Sequence, residues 1–259
     1  MKVKDVMTKY IIFVDKDINL RHVLKLMKKH NITKIPVVED KKLVGVITDN
    51  TIAVKLGSIR KKGIPASRLH ASSVTDKEFE IVTPDTDVET ILKKVGEPGP
   101  TMLNVVQNEK LVGVVTKADL LHLVDSDLRL HQIMTKNVHV VSPDDRVIHA
   151  RRVMIDEQIA RLPVVNNGML VGVVSDTEIA FSLADVKRSF SIGKQKHRLD
   201  ELLVGNVMKS PAIWTTPNMT CKEASRIMLK KHIGFLPIID DNKLTGIITR
   251  TDLLKTINL

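Results

Sequence analysis

Thr116 with Asp119 and Thr249 with Asp252 each place a hydroxyl three residues ahead of a carboxylate, directly behind a glycine-containing apolar run. Two more stretches repeat the spacing with altered chemistry: Ser175 with Glu178, and Thr48 with Thr51, which lacks the carboxylate. The local reading of such a pair is a helix capping box, in which both side chains satisfy free backbone N–H groups and Glu is the usual partner. Other chemistry is poorly represented. None of the nine histidines forms HExxH, there is no Walker loop or GxSxG, and carboxylates do not cluster elsewhere, so an enzyme is not expected. The one cysteine, Cys221, has no disulfide partner and no CxxC spacing, which argues for a reducing compartment and against a thiolate zinc site.

The elements that carry these pairs repeat. KIPVVEDKKLVGVITDNTI (34–52), MLNVVQNEKLVGVVTKADL (102–120), RLPVVNNGMLVGVVSDTEI (161–179) and FLPIIDDNKLTGIITRTDL (235–253) each read as two short strands around a polar turn, followed by a helix start. Ahead of each lies a strand and then a helix whose apolar residues recur at helical spacing: Leu20, Val23 and Met27; Val88, Ile91 and Val95; Val147, Ala150 and Met154; Cys221, Ala224 and Met228. Those stripes are expected to face a core, with Cys221 as a buried apolar residue. The chain is therefore α/β (α+β): four βαββα units at 1–57, 68–124, 130–183 and 203–259. Each is too small to bury both faces of a three-stranded sheet, so the units should pack as two tandem pairs. Linkers are expected at 57–73 and 183–205, the second holding an amphipathic HRLDELL segment, and a short helical stretch at 124–134 divides the halves.

Composition narrows the class. No apolar run approaches the roughly 18 residues of a membrane span, and MKVKDVMTKY lacks a signal peptide's apolar stretch, so a cytoplasmic protein without a membrane partner is expected. The formal charge of +10 favours anionic partners, phosphates or nucleic acid. Much of the excess lies between repeats, at Lys55, Arg60, Lys61, Lys62 and Arg68 and at Lys187, Arg188, Lys194, Lys196 and Arg198, where a solvated surface is the competing reading. With 3% aromatic residues, nucleic-acid binding would rest on backbone electrostatics and fall steeply with salt.

The strands carrying h-P-h-h, the G-h-h-T/S-x-x-D segments, and the entries Val6-Met7-Thr8, Ile133-Met134-Thr135 and Val207-Met208-Lys209 resemble the cystathionine-β-synthase (CBS) domain family over nearly the whole chain. Four motifs in one chain are similar to stand-alone archaeal and bacterial CBS proteins and, in domain count, to the γ subunit of AMP-activated protein kinase. The resemblance implies two Bateman modules, arranged as a disc in one chain or by two stacked chains, with clefts for AMP, ADP or ATP and no catalysis. S-adenosylmethionine is the competing ligand.

In such a family the aspartate accepts hydrogen bonds from both ribose hydroxyls, while the hydroxyl and the helix N-terminus face phosphate. Thr116 with Asp119 and Thr249 with Asp252 then mark intact sites, Ser175 with Glu178 a crowded one, and Thr51 an empty or altered one. The resemblance also places phosphate-binding cations just before the apolar-Pro pair of the other unit in the module, at Lys34 and Arg161, so one complete set per module is expected. Arg161 can fork across phosphate oxygens, which favours the second module. Thr83, Ser142 and Thr216, each before a proline, would seat adenine, with Val114 and Ile247 as walls. Trp214 is expected in the core, with base stacking as its alternative. Asn104, in place of a proline, and GEPGP ahead of it distort the second cleft. No cofactor or metal is implied, and the regulated protein partner is not named by the residues.

Overall fold

The computed structural model describes residues 1–58, 68–97, 102–189 and 201–258. Four copies of one arrangement make up the chain. A long helix (Leu20–His30, Val88–Val95, Val147–Asp156, Cys221–Lys231) precedes an antiparallel hairpin, and a closing helix follows. The hairpins are Lys34–Glu39 with Lys42–Thr48, Met102–Gln107 with Lys110–Thr116, Arg161–Asn166 with Met169–Ser175, and Phe235–Asp240 with Lys243–Thr249. All four share one register and one irregularity just before the turn. The hairpin turns use left-handed residues such as Asn108 and Asn167, the polar residues that tolerate a positive φ. Every apolar stripe residue of the long helices is buried, Cys221 included. A parallel first strand completes three-stranded sheets in units 1 and 2. In units 3 and 4 it shrinks to single bridges, Val141 with Val164 and Thr215 with Ile238.

The chain entering each unit crosses to its neighbour. Val3–Val6 and Thr8 dock on unit 2, where Thr8 and Val114 exchange two backbone hydrogen bonds of 2.9 and 3.1 Å. Residues from His70 to Asp76 return to unit 1, Leu130–Thr135 pack on unit 4, and Leu203–Lys209 on unit 3. The glycine of the G-h-h-T/S runs has a steric cause. A Cβ on Gly113 would lie 2.6 Å from the Met7 sulfur, and on Gly246 or Gly172 it would lie 2.7 Å from the sulfur of Met134 or Met208. Only glycine admits the crossing methionine.

The units close a ring in the order 1, 2, 4, 3. Hairpins of units 1 and 2 lie side by side, with Lys42 paired to Glu109 at 3.0 Å, and those of units 3 and 4 do likewise. Across the ring, Asp49–Ser58 packs on Asp176–Ser189, burying Ala180 and Ala184 in the core of unit 1. Units 2 and 4 share a continuous core from Val3 to Leu254. The anticipated linkers differ from this picture in two respects. Residues 68–76 are part of unit 1's packing, and Asp176–Ser189 continues well past residue 183 as inter-module structure. The helix expected over 124–134 is confined to Leu130–Ile133. Arg60, Lys61, Lys62, Lys194, Lys196 and Arg198, and most of HRLDELL and GEPGP, lie outside the described residues. No helix among the described residues is long and apolar enough to cross a membrane.

Candidate functional site

The hydroxyl of each repeat ends a strand and the next residues turn into a helix, so the four pairs gather where the closing helices meet at the ring centre. Each pair forms a capping box. Thr116 N and Oγ1 both donate to Asp119 Oδ2 at 2.7 Å, and Thr249 N and Oγ1 donate to Asp252 Oδ2 at 2.8 and 2.7 Å. Capping therefore occupies one oxygen of each carboxylate. The other oxygen differs. Asp119 Oδ1 accepts from the Thr8 hydroxyl at 2.7 Å, whereas Asp252 Oδ1 has no partner among the described residues.

Units 3 and 1 have spent their acceptors. Glu178 Oε2 accepts from Ser175 N at 3.0 Å and from the Ser175 hydroxyl, and Oε1 pairs with Lys209 Nζ at 3.0 Å. Thr51 Oγ1 donates to Thr48 O and accepts from Thr48 N, both at 2.9 Å.

Lys34 and Arg161 start their hairpins opposite Thr48 and Ser175; Met102 and Phe235 hold the matching places opposite Thr116 and Thr249. Neither cation makes a side-chain hydrogen bond or ion pair among the described residues. Burial pushes the Lys34 ammonium down to about 8, Asp49 opposes that, and Lys117, Arg161 and Arg250 push in the same direction. Charges from all four units thus act on one amine.

The residues after the hydroxyls were not singled out from the sequence, although aligning the copies displays them: Asp49, Lys117, Asp176 and Arg250. They cross between modules. Lys117 Nζ donates to Thr251 Oγ1 and to Glu97 O, both at 2.6 Å, and feels the Asp252 carboxylate. Burial brings this amine to about 8 as well. Arg250 donates to Ile233 O at 3.0 Å and feels Asp119, while its buried Nε has no partner among the described residues. Burial, then Arg161, lower it to about 10.

On the opposite face the charges reverse. Thr177 Oγ1 donates to Asp49 Oδ2 at 2.6 Å, and Arg151 bridges Asp176 Oδ1 at 2.5 Å and Asn50 Oδ1 at 2.8 Å. Burial raises the Asp176 carboxyl to about 6 against the pull of Arg151. Units 2 and 4 therefore set Lys117 and Arg250 beside Asp252 and Asp119, while units 1 and 3 hold Asp49 and Asp176 clasped by Thr177 and Arg151.

Val114 and Ile247 line the strands next to the aspartates, held by backbone pairs to Thr8 and Thr135. Thr83, Ser142 and Thr216 sit in the turns before the long helices, where Thr83 N donates to Thr86 Oγ1 and Ser142 N to Asp145 Oδ2. No hydrogen bond among the described residues joins those three to Asp119 or Asp252. Asn104 is buried, its Nδ2 donating to Glu80 O at 3.1 Å and its Oδ1 without a partner among the described residues. The expectation that Trp214 belongs to the core is corrected: it is 52% exposed, as are its counterparts Phe13, Ile81 and Val140 to a similar degree. Its neighbour Thr215 turns inward instead, because side chains alternate along a strand. A cleft of about 560 Å³ lies between the turns of the unit 3 and 4 hairpins, at the far end from the hydroxyls.

Known proteins share this architecture. MJ1225 of Methanocaldococcus jannaschii, described as uncharacterised, is 27% identical over 95% of both chains. MJ1404 of the same organism is 27% identical over 98% of this chain and 61% of its own length. The crystal structure of MJ1225 superposes with a TM-score of 0.87 at 24% identity, covering 98% of this chain and 99% of that one, which establishes a shared fold. The CBS domain model matches residues 3–57, 71–126, 130–185 and 204–259, and the chain belongs to the CBS domain family.

Proposed function

We propose that the chain is a non-catalytic sensor of adenine nucleotides, AMP, ADP or ATP, which regulates a partner protein through the arrangement of its two modules. The observation that carries this reading is the meeting of units 2 and 4, where Asp119 and Asp252 each retain an oxygen beyond their capping bonds while Lys117 and Arg250 stand beside them. A carboxylate oxygen accepts from a ribose diol, and buried cations with few partners take phosphate oxygens. Lys34 and Arg161, without an ion pair among the described residues, extend that positive field toward the ring centre. CBS domains are regulatory modules, and the described residues hold no group of three or more metal-ligating side chains.

S-adenosylmethionine also carries a ribose and an adenine. Its sulfonium would meet Lys34, Lys117, Arg161 and Arg250 without a phosphate to offset them, so phosphorylated ligands fit the charge better. Calorimetry against AMP, ADP, ATP, S-adenosylmethionine and NAD tests the reading. Saturable nucleotide binding that disappears in an Asp119→Ala/Asp252→Ala chain is expected. Binding that survives both changes would refute the site.

A further inference from the structure

Thr8, Asp76, Thr135 and Lys209 occupy one position in the crossing segments. Each exchanges two backbone hydrogen bonds with the residue two before a repeat hydroxyl, namely Val114, Val46, Ile247 and Val173. Its side chain changes in step with the residue three past that hydroxyl: Thr8 and Thr135 accompany Asp119 and Asp252, Lys209 accompanies Glu178, and Asp76 accompanies Thr51. The two members of each couple come from different units, so the chemistry is set jointly by segments far apart in sequence.

In unit 3 the couple is closed. The Glu178 side chain is only 11% exposed, one oxygen is held by Ser175, and the other meets the Lys209 ammonium at 3.0 Å. Lys209 is 72% exposed, so its stem runs along the surface and only its head reaches the acid. An ammonium carries donors and no acceptor, the same chemistry a ligand diol offers a carboxylate. We infer that Lys209 is a built-in occupant of the third cleft, which keeps that cleft shut to ligand while the Thr8 and Thr135 couples leave theirs usable. A threonine hydroxyl in the same place reaches Asp119 at 2.7 Å but both donates and accepts, so it can turn to a ligand hydroxyl without stranding a charge.

This inference rests on the nucleotide reading and is tested by counting AMP equivalents bound to the full chain by equilibrium dialysis. The wild type is expected to bind two, and the Lys209→Thr/Glu178→Asp variant three; the two original sites report that the variant is folded. An unchanged count in that variant overturns the inference. The reverse exchange, Thr8→Lys/Asp119→Glu, is expected to remove one equivalent, and retention of both overturns it equally. A wild type that binds no AMP refutes the nucleotide reading instead, and the inference is then decided by whether Lys209→Thr/Glu178→Asp gains one equivalent.

Discussion

Replacing Arg250 by methionine removes a guanidinium from the ring centre while leaving an apolar side chain of similar reach against Gly234. Two opposing terms set the effect on the ligand-free chain. Burial and Arg161 lower the guanidinium to about 10 from 12.5, which corresponds to roughly 3 kcal/mol against keeping the charge there. Against this stands the loss of its hydrogen bond to Ile233 O, about 1.5–3 kcal/mol for a charged donor, which leaves that carbonyl to water. The terms nearly cancel, so urea denaturation of Arg250→Met should change stability by less than about 2 kcal/mol, whereas stripping one partner from a buried ion pair costs about 3–5 kcal/mol. Binding should behave differently. Arg250 stands beside Asp119 of the other module, so an Asp252→Ala background, in which only the Asp119 site remains, isolates its role. Losing one charge-assisted contact of about 1.5–3 kcal/mol weakens AMP there by roughly 10- to 150-fold. The reasoning fails if Arg250→Met unfolds the chain by more than about 3 kcal/mol while AMP affinity at the Asp119 site is unchanged, because Arg250 would then be a structural cation.

Further expectations concern protonation, packing and the opposite face. Lys34 and Lys117, both near 8, must be protonated to hold phosphate, so AMP affinity should fall as pH rises from 7 to 9; a flat calorimetric profile across that range would contradict their role. The same depressed values mean that the unfolded chain binds more protons than the folded one between about 8 and 10.5, so ligand-free stability should rise with pH across that window. Gly246→Ala drives a Cβ to within 2.7 Å of the Met134 sulfur and should lower stability by about 1–3 kcal/mol in thermal melts. Arg151→Met strands the buried Asp176 carboxylate and should cost about 3–5 kcal/mol at pH 7. Protonation of Asp176 relieves that cost, so the deficit should shrink below pH 6, and Arg151→Met/Asp176→Asn should cost less than Arg151→Met alone.

Much of the fold was legible because it is written in short-range patterns. Hairpin strands alternate around polar turns, the long helices repeat their apolar residues at helical spacing, and Cys221 could be assigned to a core simply by sharing a position with Leu20, Val88 and Val147. The hydroxyl-to-carboxylate spacing likewise located the capping boxes, since a capping box is local chemistry.

The tertiary structure alone decided which partners meet. The crossing segments attach through backbone hydrogen bonds, Thr8 to Val114 and Thr135 to Ile247, and backbone donors carry no signature of residue type. Hence nothing in the chain's text joined Lys209 to Glu178 or Thr8 to Asp119. Nothing local distinguishes Lys117 and Arg250 from other charged residues at helix starts; the shared core of units 2 and 4 is what brings their helices against the other module. Trp214 misled for the same reason, because period-two alternation leaves the inward face undetermined when only Thr215 bridges to the hairpin. Repetition determined four equivalent positions, three of them carboxylates; long-range packing determined that two of those carboxylates face cations from across the ring and that the third is held by a lysine of the chain itself.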